Sequence, residues 1–153
     1  MARLESKQIM GYLPIEDKHH ATILSLVAPA TPAYKVLDPF AGEGEFLEAV
    51  ANQWNITPYA NELDGERATK CIERFGPKQA VRSDALRLRA SNNAFSCLWV
   101  NPPYDHDKAA SGNKRVEFAM LRHSWKWAMD GALVLWAIYI HHLTDETCYS
   151  SPN

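Results

Sequence analysis

The chain has 153 residues, 46% of them apolar, and a formal net charge of -2. That is enough apolar material for the core of one ordinary domain, and so balanced a charge excludes a protein coated in basic groups, which makes any nucleic-acid contact local. Three widely spaced cysteines, Cys71, Cys97 and Cys148, fit neither a disulfide framework nor a zinc site; Ala132 to Ile140, the longest apolar run, is too short to cross a bilayer, and Met1 to Lys7 lacks the core of a signal peptide, so the sequence reads as a reduced, cytoplasmic protein that avoids membranes.

In chain order, Gly11-Tyr12-Leu13-Pro14 leads into a helical stretch, His19 to Val27. Tyr34 to Phe40 (YKVLDPF) predicts a strand, and Gly44 to Trp54 a helix with Phe46, Leu47 and Val50 on one face. Thr57 to Leu63 predicts a second strand, and Asp64 to Phe75 a helix closed by the stop pair Gly76-Pro77. Gln79 to Leu86 predicts a third, weaker strand, and Phe95 to Val100 a fourth. After a polar loop from Asp105 to Lys114, Arg115 to Met129 carries helical spacing through Phe118, Leu121, Trp125 and Met129. Gly131 to Ile140 completes the series as a fifth, strongly apolar strand. Trp125, Trp127 and Trp136 read as packing residues. There is no repeat or linker, so residues 1–153 form one domain, and strand-helix alternation of this kind predicts a doubly wound, mostly parallel α/β sheet with helices on both faces.

Ligands of such sheets bind at the carboxyl ends of the strands, and the unusual residues stand there. The predicted strands run out in Asp38-Pro39-Phe40-Ala41-Gly42-Glu43-Gly44, in Asn61-Glu62-Leu63-Asp64, in Ser83-Asp84-Ala85-Leu86 and in Asn101-Pro102-Pro103-Tyr104. Gly42 and Gly44 permit a tight turn and close approach to a nucleotide-like ligand, although a glycine turn between strand and helix is also common for structural reasons alone. Glu62 follows Asp38 by 24 residues, where an acid can accept both hydroxyls of a ribose. The third glycine of a dinucleotide fingerprint is replaced by Leu47, which argues against NAD or FAD.

DPFAGEGEFL, NELD, SDAL and NPPY, in that order, resemble the motifs of class I S-adenosylmethionine-dependent methyltransferases, and NPPY resembles that of the members that methylate exocyclic amines, chiefly N6-adenine DNA methyltransferases. The resemblance spans about residues 11 to 140 and implies a Rossmann-like fold with an N-terminal cofactor segment (11–28) and a core (34–140). It implies S-adenosyl-L-methionine as cofactor. Asp38, Ala41 and the Gly42 to Gly44 backbone would hold its methionine part, Glu62 its ribose and Asp84 its adenine amino group, with Phe40 and Leu63 lining that ring. Leu13-Pro14-Ile15-Glu16 stands where many relatives have a Pro-Thr-Pro-like stretch, which leaves Tyr12 as the candidate wall of the methionine pocket. The motif order is similar to the gamma arrangement, whose target recognition usually comes from a domain C-terminal to the core. The family's sheet continues past a fifth strand, so ending at Asn153 implies a core truncated after that strand, with residues 132–140 as an apolar edge that pairs with a second copy or a partner subunit.

NPPY also has a direct chemical reading. Pro102 and Pro103 cannot continue a sheet ladder and stiffen the strand exit. An exocyclic amine is a poor nucleophile because its lone pair is delocalised into the ring. The Asn101 side-chain carbonyl and the Pro102 backbone carbonyl can each accept one of its N–H groups and aim the lone pair at the methyl carbon. Tyr104 offers a flat face for a base flipped out of DNA. Lys108, Lys114 and Arg115 follow, where a phosphate backbone would pass, and Arg82, Arg87 and Arg89 lie near the third strand's end; an ordinary solvated surface accounts for both clusters equally well. His19-His20 and His141-His142 have no partners at ligand spacing and do not read as a metal site. The sequence thus leads to methylation of adenine N6 in DNA, with RNA or a protein amide as other substrates and a catalytically incompetent cofactor-binding core, or a subunit needing a partner, as the competing class.

Overall fold

The computed structural model of the protein describes residues 13–29, 34–103 and 116–138. Among them, α1 (Asp17–Leu26) precedes β1 (Lys35–Asp38), α2 (Glu45–Trp54), β2 (Thr57–Glu62), α3 (Gly65–Phe75), β3 (Ala80–Arg82), β4 (Phe95–Val100), α4 (Val116–Ser124) and β5 (Ala128–Trp136). The five strands form one sheet in the order β3-β2-β1-β4-β5, and every pair is parallel. This is the expected doubly wound α/β architecture. β1 and β4 lie inside the sheet, where both faces must be dry, and β4 (FSCLWV) is correspondingly buried along its whole length.

Local chemistry sets the boundaries. Asp64 caps α3 by accepting the N–H groups of Glu66 and Arg67, and Gly76 ends the helix at φ +83, a conformation that suits glycine. α1 runs from Asp17 to Leu26 instead of from His19 to Val27, with Asp17 in its first turn, where an acid favours the helix dipole. The third strand is shorter than the sequence implies: the Asp84 carboxylate accepts Leu86 N–H at 2.9 Å, so residues 85–87 wind into a 3-10 turn and do not extend Gln79 to Leu86.

The last helix and strand meet earlier than periodicity predicts. α4 stops at Ser124, whose hydroxyl donates to Met120 O at 2.9 Å, a back-bond that disturbs helices; a 3-10 turn covers Trp125–Trp127, and Met129 already belongs to β5. The tighter turn buries Trp127 at 1% exposure and turns Trp125 out at 58%, so Trp125 is not the packing residue that its spacing suggests. Gly131, read as the start of the strand, sits within β5 at φ +77, between the pairings Phe95 to Ala128 and Cys97 to Leu133, where the register shifts. β5 closes at Trp136, and Tyr139 and Ile140 lie outside the described residues.

α1, α2 and α3 cover one face of the sheet, where Leu47 and Val50 of α2 pack with Val36, Cys97 and Trp99 of the strands. The other face buries Leu37, Leu98, Val100 and Trp127, with Leu121 of α4 packed against them. The link from β3 to β4 carries only the 3-10 turn, so this face is open over β2 and β3 as a hollow of about 450 Å³ that includes Tyr59, Val81 and Phe95. No described helix is long and apolar enough to cross a membrane.

Candidate active site

Asp38 ends β1 and is 2% exposed, and its Oδ1 accepts Phe40 N–H at 2.8 Å. Burial pushes its carboxyl well above the usual carboxylate range and the charge of Glu62 adds to that, while the Phe40 N–H acts in the opposite sense. Glu62 ends β2 as a second buried acid, held from three directions: Oε2 accepts Gly42 N–H at 2.8 Å, and Oε1 accepts Asp64 N–H at 2.8 Å and Arg67 Nη2 at 3.0 Å. Asn61 ties neighbouring strand ends together by donating to Pro39 O at 3.0 Å and Ser83 O at 3.1 Å, and Ser83 Oγ donates back to Asn61 Oδ1 at 2.6 Å.

The glycine turn is explained by what lies under it. Gly42 (φ +59) gives its N–H to Glu62, and its carbonyl accepts the Cys71 thiol at 3.1 Å; burial pushes that thiol up to about 12. Gly44 (φ +82) donates to Ala41 O, and a Cβ there would stand 2.6 Å from Phe75 Cε2 of α3. Both glycines therefore serve the close packing of the turn on α3.

Two adjoining pockets open at this rim. The larger, about 550 Å³ with its mouth included, is lined by Phe40, Glu62, Leu63, Arg67, Asp84, Asn101, Pro103 and Met120, among others. The smaller, about 320 Å³ with its open mouth included, is lined by Pro14, Ile15, Asp38, Phe40, Ala41, Glu45, Phe46, Trp99 and Asn101. Phe40 and Asn101 belong to both. The Asn101 side chain is oriented by a bond from Nδ2 to Leu13 O at 2.9 Å, and Pro102 behind it is fully buried. The rim thus brings together Asp38, Phe40, Ala41, Glu62, Leu63, Asp84, Asn101 and Pro103, while Gly42 and Gly44 stand behind it. Tyr12, Tyr104, Lys108, Lys114 and Arg115 lie outside the described residues, as do His141 and His142. Arg67, Glu45 and Met120 were not anticipated, nor was the part Asn61 plays in tying the strand ends together. Arg67 had a readable signal, because a cation in the first turn opposes the helix dipole and needs another reason to be there.

Compared with known protein families, residues 1–151 match the one described as "Uncharacterised methyltransferase family (DUF6094)". The chain belongs to this family. No curated protein matches the methyltransferase significantly. Among solved structures it is similar to a candidate class I S-adenosylmethionine-dependent methyltransferase from Listeria monocytogenes (TM-score 0.70, 12% identity, covering 92% of this chain and 52% of that one). It is also similar to the methyltransferase subunit of a type I restriction-modification system from Streptococcus thermophilus (0.59, 16%, 82% and 34%). A third similar structure is P. horikoshii TYW2 in complex with MeSAdo (0.55, 18%, 80% and 43%). At these identities the likeness is one of fold, and the fold is that of class I S-adenosylmethionine-dependent methyltransferases. The chain spans between a third and about half of the length of these three proteins.

Proposed function

We propose that this methyltransferase takes its methyl group from S-adenosylmethionine and transfers it to an exocyclic amine, the N6 amine of adenine in DNA. The observation that carries the reading is the position of Asn101 on the wall shared by the pocket of Glu62 and Asp84 and the pocket of Asp38. The donor set fits the cofactor. Glu62 is a buried acceptor for ribose, Asp84 an acceptor for an adenine amine, and Phe40 and Leu63 are apolar walls for the ring. Asp38 is a buried carboxyl whose ionisation an ammonium group would favour.

The bound cofactor supplies a methyl group already activated by its sulfonium, so the protein's work is position and polarity. Asn101, its amide held to Leu13 O, presents Oδ1 as acceptor for one N–H of the target amine, and the Pro102 carbonyl takes the other. No base is required beforehand, because the methylated amine loses its proton to water. Tyr104 would stack on the flipped base, and Lys108, Lys114 and Arg115 would meet phosphates. The fold likeness to the methyltransferase subunit of a restriction-modification system agrees with a DNA substrate.

A second reading is favoured by β5. Among the described residues this strand pairs with β4 alone, leaving Leu133, Val134, Leu135 and Trp136 along an edge that a partner subunit or second copy would complete through residues 132–140. Incubating the purified protein with methyl-labelled S-adenosylmethionine and separate DNA, RNA and protein pools tests both. Label recovered as N6-methyladenine in DNA is the expected result. Label confined to RNA or protein overturns the substrate, and cofactor binding without any transfer leaves the partner-dependent core.

A further inference from the structure

A carboxylate offers about four in-plane acceptor positions, and among the described residues three are filled at Glu62: Asp64 N–H and Arg67 Nη2 meet Oε1, and Gly42 N–H meets Oε2. One further donor fits at Oε2. A ribose, however, presents two adjacent hydroxyls on one edge, and the sequence expectation assigned both to this acid. The group beside Glu62 that complements it is Arg67, whose side chain is 14% exposed and which lines the same pocket. A guanidinium has several donors and no acceptor, so it meets a hydroxyl through the oxygen where a carboxylate meets it through the hydrogen.

We propose that Arg67 is a second ribose-binding residue: Glu62 Oε2 accepts one ribose hydroxyl, and the Arg67 guanidinium donates to the oxygen of the other. This rests on the cofactor reading above. Splitting the two hydroxyls between an acceptor and a donor makes each separately necessary, so the pocket selects a ribonucleoside over either deoxy form.

Calorimetric titration of S-adenosylhomocysteine and its 2′-deoxy and 3′-deoxy analogues into the full chain tests this. The wild type binds the parent at least about fivefold more tightly than each analogue, the scale of one net hydrogen bond. In Arg67→Met the penalty for one missing hydroxyl disappears and the penalty for the other stays. If Arg67 merely props Glu62 in place, both penalties stay or both shrink together, and the proposal is overturned. Should Arg67→Met fail to fold, Arg67→Leu is titrated with the same ligands and the same two outcomes, and in the wild type a penalty below about twofold for either analogue also contradicts contact at two points. A wild type that binds none of the three ligands removes the cofactor reading itself, which is a different result from binding with no hydroxyl preference.

Discussion

The two sides of the rim are built differently. On the acid side, Asp38, Gly42, Glu62, Asp64 and Arg67 fall within 30 residues of chain and are locked by short bonds between consecutive strand ends and the helix that follows. On the amine side, Asn101 is oriented by Leu13, 88 residues away, and the prolines after it stiffen the strand exit. On the proposed reading, cofactor affinity would reside in this compact, self-supporting unit. Placement of the target amine would depend on the bond from Asn101 to Leu13 at the end of β4. The two functions should separate under mutation.

The largest separation is expected at Asn101. Asn101→Ala should lower methyl transfer by about 10² to 10³, the usual loss when one preorganised polar group is removed from a reacting centre, while S-adenosylhomocysteine affinity measured by calorimetry changes less than about twofold. Comparable loss of both would make Asn101 structural. Glu62→Ala should act on the other side, weakening cofactor affinity by about 1.5 to 3 kcal/mol, the value of a charge-assisted hydrogen bond; unchanged affinity in a folded variant would remove Glu62 from the site.

Asp38→Asn sharpens the comparison because it divides binding from stability. The Asp38 carboxyl is raised in the folded protein, so its contribution to stability is present below the ordinary carboxylate range and is lost as pH rises through its raised folded value. The unliganded Asn variant should therefore equal or exceed the wild type in Tm at pH 8 while binding the cofactor about tenfold more weakly, the scale of a lost charged hydrogen bond. A fall in Tm at pH 8 would contradict the assignment. The smallest effect concerns Cys71 beneath the Gly42 turn and Cys97 in β4, both buried thiols pushed up to about 12. At pH 8 neither should be alkylated in the native protein, and peptide mass spectrometry that finds Cys71 modified would show the turn to be loose.

Much of this was legible in the sequence, for physical reasons. DPFAGEG and NELD mark strand ends because acids and glycines there cannot continue a buried strand, and FSCLWV reads as a strand dry on both faces. Strand ends in a parallel sheet converge, which is why Glu62, Asp84 and Asn101 were foreseeable as neighbours. The β3 boundary was not, because the bond from Leu86 N–H to Asp84 competes with strand continuation. The junction of α4 and β5 was misjudged because a tight aromatic turn keeps nearly helical spacing while Ser124 and Gly131 redirect the backbone. The link from Asn101 to Leu13 has no local signature at all, since side-chain to backbone bonds over such a separation exist only once the sheet has formed.

The central claim is that one pocket pair binds the cofactor on its acid side and directs the amine from Asn101. Titration of S-adenosylmethionine into the wild type, Glu62→Ala and Asn101→Ala proteins tests it most directly. The account predicts one site per chain in the wild type, markedly weakened by Glu62→Ala and nearly unchanged by Asn101→Ala. No binding by the wild type, or equal weakening in the two variants, would contradict it.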